Sequence, residues 1–246
     1  MAEAEIKLLG ILGGLGPMSS AYFYELITAH TAAECDQDHI DIILSSRAST
    51  PDRTSYITGK SQNSPLPFMV SDARRLEAYG AQAIVIPCNT AHYFIEQVRC
   101  SVEVPVPSII EETSIFIKKT GHRKAGIMAT EGTVSSGSYQ KSLSAQGLEW
   151  AVPDEKFQKY LGELIYGDVK SGRPPDKDKF FSVARHLVSK GCDRMILGCT
   201  ELSLINRDVG GDEMFADSLE VLADKSIRIC GRETVGFSHE FELYEA

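Results

Sequence analysis

Two cysteines recur in register along this chain. Cys88 sits near the end of residues 83–90, A-I-V-I-P-C-N-T, and Cys199 near the end of residues 194–201, R-M-I-L-G-C-T-E. At an offset of 111 residues, Gly80 falls on Gly191, Ile84-Val85-Ile86 on Met195-Ile196-Leu197, and Cys88 on Cys199. Each half therefore ends a buried-strand pattern in one thiol. A free cysteine titrates at about 8.5, and helix N-terminal N–H groups lower that value, so one thiolate and one thiol coexist near neutral pH. A thiolate that takes a proton from one face of a carbon, opposite a thiol that delivers one to the other face, inverts the stereocentre. Like groups on both sides make the reaction reversible from either enantiomer. The carbanion between them needs pre-aimed donors. Asn89 and Thr90 beside the first thiol, Thr200 beside the second, and Thr130 and Thr133 in the opposite loop are placed to supply them. Cys35, Cys100, Cys192 and Cys230 have no partner by offset and read as small buried hydrophobes, as either member of the pair would alone.

The elements that must position these groups alternate strand and helix. Residues 7–12 are a short buried strand, followed by Gly13-Gly14-Leu15-Gly16-Pro17 and, from Met18, a helix running to about Glu34. Such a loop presents backbone N–H groups at a helix N-terminus, a place for a carboxylate or phosphate, although a tight turn with no ligand is the stronger alternative. The dinucleotide fingerprint fails, since G-x-G-x-x-G becomes Gly14-Leu15-Gly16-Pro17-Met18-Ser19. A strand over 40–45 leads to a long polar stretch, 46–67, a length that marks a functional or mobile loop. Arg47 lies just past the strand's carboxyl end, where open parallel sheets bind ligands, and its planar fork suits a carboxylate. A solvated surface arginine accounts for it equally well, and Asp52-Arg53 reads as a local ion pair.

Helices over 68–79, 90–99 and 110–119 and strands over 83–86 and 104–108 complete the first half. The second opens with a strand over 124–128, where an offset of 116 places Gly10-Ile11 on Gly126-Ile127 and Gly16 on Gly132. Phe157, Tyr160, Leu161, Leu164 and Ile165 mark one helix face, ended at Gly167, and Lys170 follows as an isolated cation. A helix through Phe181, Ala184, Leu187 and Val188 precedes the strand into Cys199. A last helix, 217–223, is expected to pack back on the first half, and no periodicity is readable after about Gly231. The fold class is α/β, with two pseudo-symmetric lobes, each a parallel-sheet α/β sandwich, and a cleft between them. Residues 5–112 plus 212–230 are expected to form the lobe carrying Cys88, and residues 113–211 the lobe carrying Cys199.

Composition excludes several classes. A chain of 246 residues, 43% hydrophobic and 24% charged, is an ordinary globule with enough length to bury a full core. The net charge of −9 and the lack of a basic patch argue against nucleic acid. No apolar run approaches a membrane span. The acidic start and the absence of C-x-x-C give the expectation of a cytoplasmic chain with reduced thiols and no metal.

Gly13-Gly14-Leu15-Gly16-Pro17-Met18, Pro51-Asp52-Arg53, Cys88-Asn89-Thr90-Ala91-His92 and Leu197-Gly198-Cys199-Thr200-Glu201-Leu202 resemble the motifs of the cofactor-independent aspartate/glutamate racemases, in the expected order over about residues 8–223. The resemblance implies a pyridoxal-independent two-base racemase of an acidic amino acid, commonly a homodimer. It implies that Cys199 takes the proton from the L-enantiomer and Cys88 from the D-enantiomer. By the same resemblance Arg47 and Lys170 hold the side-chain carboxylate, and Asn89, Thr90 and Thr200 hold the α-carboxylate and amino group. Met18, Thr130 and Thr133 complete the expected substrate contacts. Glutamate racemases of wall synthesis usually carry an aspartate-serine pair in the first loop and a histidine after the second Cys-Thr. Gly13-Gly14 and Glu201 stand there instead, which points to the aspartate or broad-specificity branch. A broad-specificity racemase, another isomerase or decarboxylase of the superfamily, and a non-catalytic carboxylate-binding protein are the alternatives. His92 has two readings, a partner near Cys88 or a core histidine.

Overall fold

The computed structural model describes residues 8–210, 213–238 and 240–245. The first half runs β1 (Leu8–Gly13), α1 (Pro17–His30), β2 (Asp41–Ser46), α2 (Arg53–Ile57), α3 (Leu66–Tyr79), β3 (Ala83–Val85), α4 (Ile95–Arg99) and α5 (Ile109–Lys119). The second runs β4 (Lys124–Ala129), α6 (Glu131–Ser136), α7 (Ser138–Ala145), β5 (Glu149–Ala151), α8 (Glu155–Gly162), α9 (Lys177–Ser189), β6 (Arg194–Gly198), α10 (Thr200–Val209) and β7 (Phe215–Asp217). After these come α11 (Ser218–Ile229) and α12 (Glu240–Glu245). Two parallel sheets result, β2-β1-β3 and β5-β4-β6-β7.

Side chains alternate between the two faces, and both faces of β1, β3, β4 and β6 are buried, while β2 and β5 are partly exposed. Leu9, Ile11, Ala83 and Val85 of the first sheet and Ile127, Ala129 and Ile196 of the second join one shared core, filled between the sheets by residues of α1, α5 and α11. The intervening positions face outward onto separate helical layers. Ile84, Ile86 and Cys88 pack with residues of α3 and α4, and Met195, Leu197 and Cys199 with residues of α8, α9 and α10. The 111-residue offset thus carries three consecutive outward positions of one sheet onto their counterparts in the other.

The glycine matches have the same physical basis. A β-carbon on Gly10 would lie 3.2 Å from Leu76 Cβ, and one on Gly126 would lie 2.9 Å from Leu187 Cβ, so each permits a helix to lie close on its sheet. Gly80 and Gly191 end those helices at φ of 110° and 83°, in the left-handed region that disfavours a side chain.

Some expectations are corrected. Residues 104–108 form no strand. Pro105 and Pro107 cannot donate to a ladder, and the segment's link to the sheet is the Pro105 carbonyl accepting from Ile84 N at 3.0 Å. The helix expected over 90–99 is a 3₁₀ turn, Thr90–Phe94, leading into α4. Within 212–230, the segment expected in the first lobe, β7 pairs with β6 and belongs to the second sheet, so the return begins with α11, which packs on α1 and α5. That helix extends to Ile229, and α7 and α12 are helices that periodicity did not signal.

Candidate functional site

Each thiol lies just past the carboxyl end of a strand, Cys88 after β3 at the edge of the first sheet and Cys199 after β6 inside the second, and each is buried. Cys88 follows β3 through Ile86-Pro87, and its backbone is fixed by His92. Nε2 of that ring accepts the Ile109 N–H at 3.1 Å, which leaves the proton on Nδ1 to donate to the Cys88 carbonyl at 2.9 Å. Both readings of His92 therefore hold: it is a core histidine, and it anchors the Cys88 loop. Cys199 is the N-cap residue of α10. Its Sγ–H donates to Glu201 Oε2 at 3.0 Å, and Glu201 Oε1 is paired with Lys170 Nζ. Burial pushes the Cys199 thiol well above its ordinary range and the Glu201 carboxylate adds to the rise, while Lys170 pulls the other way. These surroundings favour the protonated form of Cys199. Burial alone would lower the Lys170 pKa, but Glu201 and then the Cys199 sulfur outweigh it and the ammonium is held above its usual value.

Lys170 is delivered by irregular backbone that no periodicity announces. After α8 the chain widens into a π-helical turn, Glu163–Asp168, then tightens into a 3₁₀ turn, Val169–Ser171, which carries the lysine. The same wide turn presents Tyr166, whose hydroxyl donates to Thr54 Oγ1 of the first lobe at 2.8 Å. Burial pushes the Tyr166 hydroxyl up, and both sulfurs add to the rise there and at Lys170.

The hydroxyls expected around the thiols meet across the lobes. Thr90 Oγ1 lies 2.9 Å from Thr130 Oγ1 and 2.9 Å from Thr133 Oγ1, and the latter two are 3.0 Å apart. Asn89 donates from Nδ2 to Ser218 Oγ at 3.0 Å and accepts at Oδ1 from Tyr139 at 2.6 Å. Ser218 in turn donates to the Leu197 carbonyl at 2.7 Å, two residues before Cys199. Thr200, next to Cys199 in the sequence, is buried. Two matched glycines permit the lobes to approach this closely. A β-carbon on Gly16 would stand 2.5 Å from Glu201 Oε1, and one on Gly132 would stand 2.8 Å from Thr54 Cα, each across the cleft.

A cavity of about 320 Å³ adjoins the thiol layer, lined by Gly16, Met18, Asp52, Arg53, Lys170 and Glu201 among others. Neither cysteine lines it, but Glu201 connects it to Cys199. The glycine loop that forms one wall has its Gly14 N–H spent on Ser20 Oγ at 3.0 Å. A β-carbon at Gly14, where φ is 78°, would run into the Arg47 backbone, so the turn holds the end of β2. Arg47 itself does not line the cavity. Its Nη2 lies 2.6 Å from Asp72 Oδ1 on α3, and its guanidinium rests on Phe68. The expected Asp52–Arg53 pair does not form, because Asp52 caps α2 by accepting Ser55 N–H at 2.7 Å, while Arg53 is buried and turns toward Leu15. Glu201 and Tyr166 are the groups that sequence reasoning did not assign to the site. Glu201's signal was its place two residues after Cys199, and Tyr166 carried none. Among the described residues, no three His, Cys, Asp or Glu side chains converge as a metal site, and no helix is long and apolar enough to cross a membrane.

A family model described as Asp/Glu/Hydantoin racemase matches residues 12–224. The broad-specificity amino-acid racemase of Bacillus subtilis (strain 168) is 27% identical over 227 residues, spanning 89% of this chain and 96% of that protein. A glutamate racemase of Persephonella marina is 32% identical over 151 residues, 59% of this chain and 56% of that one. Among solved structures, the aspartate racemase of Picrophilus torridus matches with a TM-score of 0.80 at 28% identity, covering 98% of this chain and 100% of that chain.

Proposed function

The chain belongs to the Asp/Glu/hydantoin racemase family, and we propose that it interconverts the L- and D-forms of an acidic amino acid, aspartate or glutamate, by proton transfer between Cys88 and Cys199. The observation that carries this reading is the pair of offset-matched, buried thiols, each just past the carboxyl end of a parallel strand in a different sheet, with the Thr90, Thr130 and Thr133 hydroxyls meeting across the lobes.

Because burial and then Glu201 push the Cys199 thiol up, we assign Cys199 as the acid and Cys88 as the base in one direction of the reaction. The Cys88 thiolate takes the Cα proton, and the Cα–H electron pair delocalises into the α-carboxylate. Cys199 then delivers its proton to the opposite face of Cα and is left as a thiolate. The enzyme now holds the reverse protonation state and is ready for the opposite enantiomer. Lys170 stabilises negative charge on either sulfur, since it acts on both. The hydroxyls of Thr90, Thr130 and Thr133, which hydrogen-bond one another, and the Asn89 amide and Thr200 are the groups we assign to the α-carboxylate and its developing charge. No organic cofactor enters these steps.

The test is Cα exchange. Each enantiomer of aspartate, glutamate, asparagine and alanine is incubated with the protein in deuterium oxide without added cofactor, and both optical rotation and the Cα proton signal are followed. Aspartate or glutamate is expected to racemise and to acquire Cα deuterium. Cys88→Ala and Cys199→Ala are each expected to abolish racemisation. A wild-type protein that exchanges none of the panel rules out the function, and a single-cysteine variant that keeps full turnover rules out the two-thiol mechanism.

A further inference from the structure

One buried side chain touches the neighbours of both thiols. Tyr139, on α7 of the second lobe, is fully buried. Its ring lies against Gly198, the residue before Cys199. A β-carbon there would stand 3.0 Å from Tyr139 Cε2, so the glycine lets the ring rest on the end of β6. Its hydroxyl lies 2.6 Å from Oδ1 of Asn89, the residue after Cys88. A phenol suits such a link, because only two side-chain torsions separate the backbone from the hydroxyl.

The hydrogen-bond directions along this link are fixed from one end. The Leu197 carbonyl can only accept, so Ser218 spends its single proton there, at 2.7 Å. Ser218 Oγ is then the acceptor for Asn89 Nδ2 at 3.0 Å, which turns Asn89 Oδ1 toward Tyr139. Oδ1 carries no proton, so the phenol donates, and burial, which pushes the Tyr139 hydroxyl up, keeps that proton in place. The link leaves the end of β6 at Gly198, crosses to Asn89 beside Cys88, and returns through Ser218 to Leu197 on the same strand. Tyr139, Asn89 and Ser218 are 0%, 2% and 0% exposed, which shields the whole link from solvent.

We propose that Tyr139 is a positioning residue that sets the spacing of the two thiols, its ring seated beside Cys199 and its hydroxyl holding the Cys88 side through Asn89. The assignment rests on the two-thiol racemase reaction proposed above. Replacing a proton on the opposite face requires both sulfurs to lie in line with Cα at once, and a misplacement of about 1 Å costs up to about a hundredfold in rate. Tyr139 acts through Gly198 and Asn89, not as an acid or a base itself.

The experiment reads inversion and exchange together. An enantiomer that wild type converts is incubated in deuterium oxide, and at low conversion deuterium is measured separately in the product and in the unconverted enantiomer. Each turnover breaks a Cα–H bond, with the proton going to one sulfur, and forms a Cα–D bond from the other, which carries solvent deuterium. Aligned thiols put the deuterium in the product. With the second thiol out of line, the first exchanges its proton with solvent and returns deuterium to the face it came from. Tyr139→Phe keeps the ring and removes the donor to Asn89 Oδ1. Racemisation is expected to fall about tenfold, while the ratio of deuterium in the unconverted enantiomer to that in the product rises about threefold or more. Ser218→Ala cuts the same link at its far end and is expected to raise the ratio too. Partial unfolding leaves the ratio unchanged, because both outcomes come from the same active molecules. Leu143→Ala loosens the buried face of α7 and is expected to keep the wild-type ratio. An unchanged ratio in either Tyr139→Phe or Ser218→Ala overturns the positioning role with the racemase function intact, as does an equal rise in Leu143→Ala. A wild-type protein that racemises none of the panel overturns the function and this assignment together.

Discussion

Acidification should loosen the Cys88 loop through one buried histidine. His92 satisfies its neighbours only as a neutral ring, with Nδ1–H on the Cys88 carbonyl and bare Nε2 facing the Ile109 N–H. A proton on Nε2 would set two donors against each other. Burial, aided by Arg99, lowers its pKa from 6.5 to about 4, against the opposing pull of the Cys88 carbonyl. Because the folded value lies below the unfolded one, the unfolded chain binds more protons between these values. The contribution is therefore complete above pH 6.5, is lost as pH falls, and levels off near pH 4. The displacement corresponds to about 3 kcal/mol, a large share of a domain's net stability. Asp217 and Glu220 oppose it over an overlapping range. Burial, and for Glu220 the Asp217 charge, raises both pKa values, so that pair costs stability as pH rises through its titration. The wild-type pH profile thus mixes two slopes of opposite sign, and only a difference isolates His92. Urea unfolding of wild type and His92→Gln between about pH 7 and pH 4 supplies it. The wild type is expected to be the more stable at neutral pH, with the gap shrinking by about 3 kcal/mol on acidification. A gap that stays constant across the window refutes a neutral, buried His92, as does a ring resonance titrating near 6.5.

Two further substitutions test the scaffold. Arg47→Ala strands the Asp72 carboxylate, leaving it only the largely exposed Arg75 at 3.8 Å, and is expected to cost about 2 kcal/mol, below the usual toll for a broken buried pair because Arg47 is partly solvated. Arg47→Ala/Asp72→Asn should recover part of the loss in urea melts, and a stable single variant would show that the pair does not support the fold. Gly132→Ala places a methyl 2.8 Å from Thr54 Cα, a backbone atom that cannot swing away, and is expected to destabilise by about 1–3 kcal/mol and to slow Cα exchange by holding the lobes apart. A wild-type melt and rate in that variant would mean the lobes do not need this approach.

Much of this architecture was legible because a repeat carries its own check. Gly10 and Gly126 meet Leu76 and Leu187, themselves 111 residues apart, so the offset holds for helices as well as strands. Other features depend on partners that local sequence does not name. Helix α7 was unread because S-Y-Q-K-S-L-S-A has only Tyr139 and Leu143 four apart as its large apolar pair, yet both are fully buried and Tyr139 reaches Asn89. Arg47 and Arg53 share one polar stretch, and what separates them is Asp72, twenty-five residues downstream of Arg47 on another element. Lys170 is placed by a π-helical turn, which hydrophobic spacing cannot distinguish from ordinary helix.

The repeat matters most where it breaks. At the offset that superposes the thiols, Thr90 falls on Glu201 and His92 on Ser203. In the first half the residue two beyond the cysteine is a hydroxyl bonded to Thr130 and Thr133 across the cleft, and the residue four beyond holds the Cys88 backbone. In the second half the equivalent of Thr90 is a carboxylate that accepts the Cys199 proton's hydrogen bond and tethers Lys170, while Ser203 turns away to donate to Asp217 at 2.6 Å. Two thiols in equivalent strand positions therefore meet unequal surroundings. In the proposed two-thiol reaction, equivalence of position would let a proton leave one face of a carbon and return to the other. Inequality of surroundings separates the two sulfurs, since burial and then the Glu201 carboxylate push the Cys199 thiol up, whereas a hydroxyl stands in the equivalent place beyond Cys88.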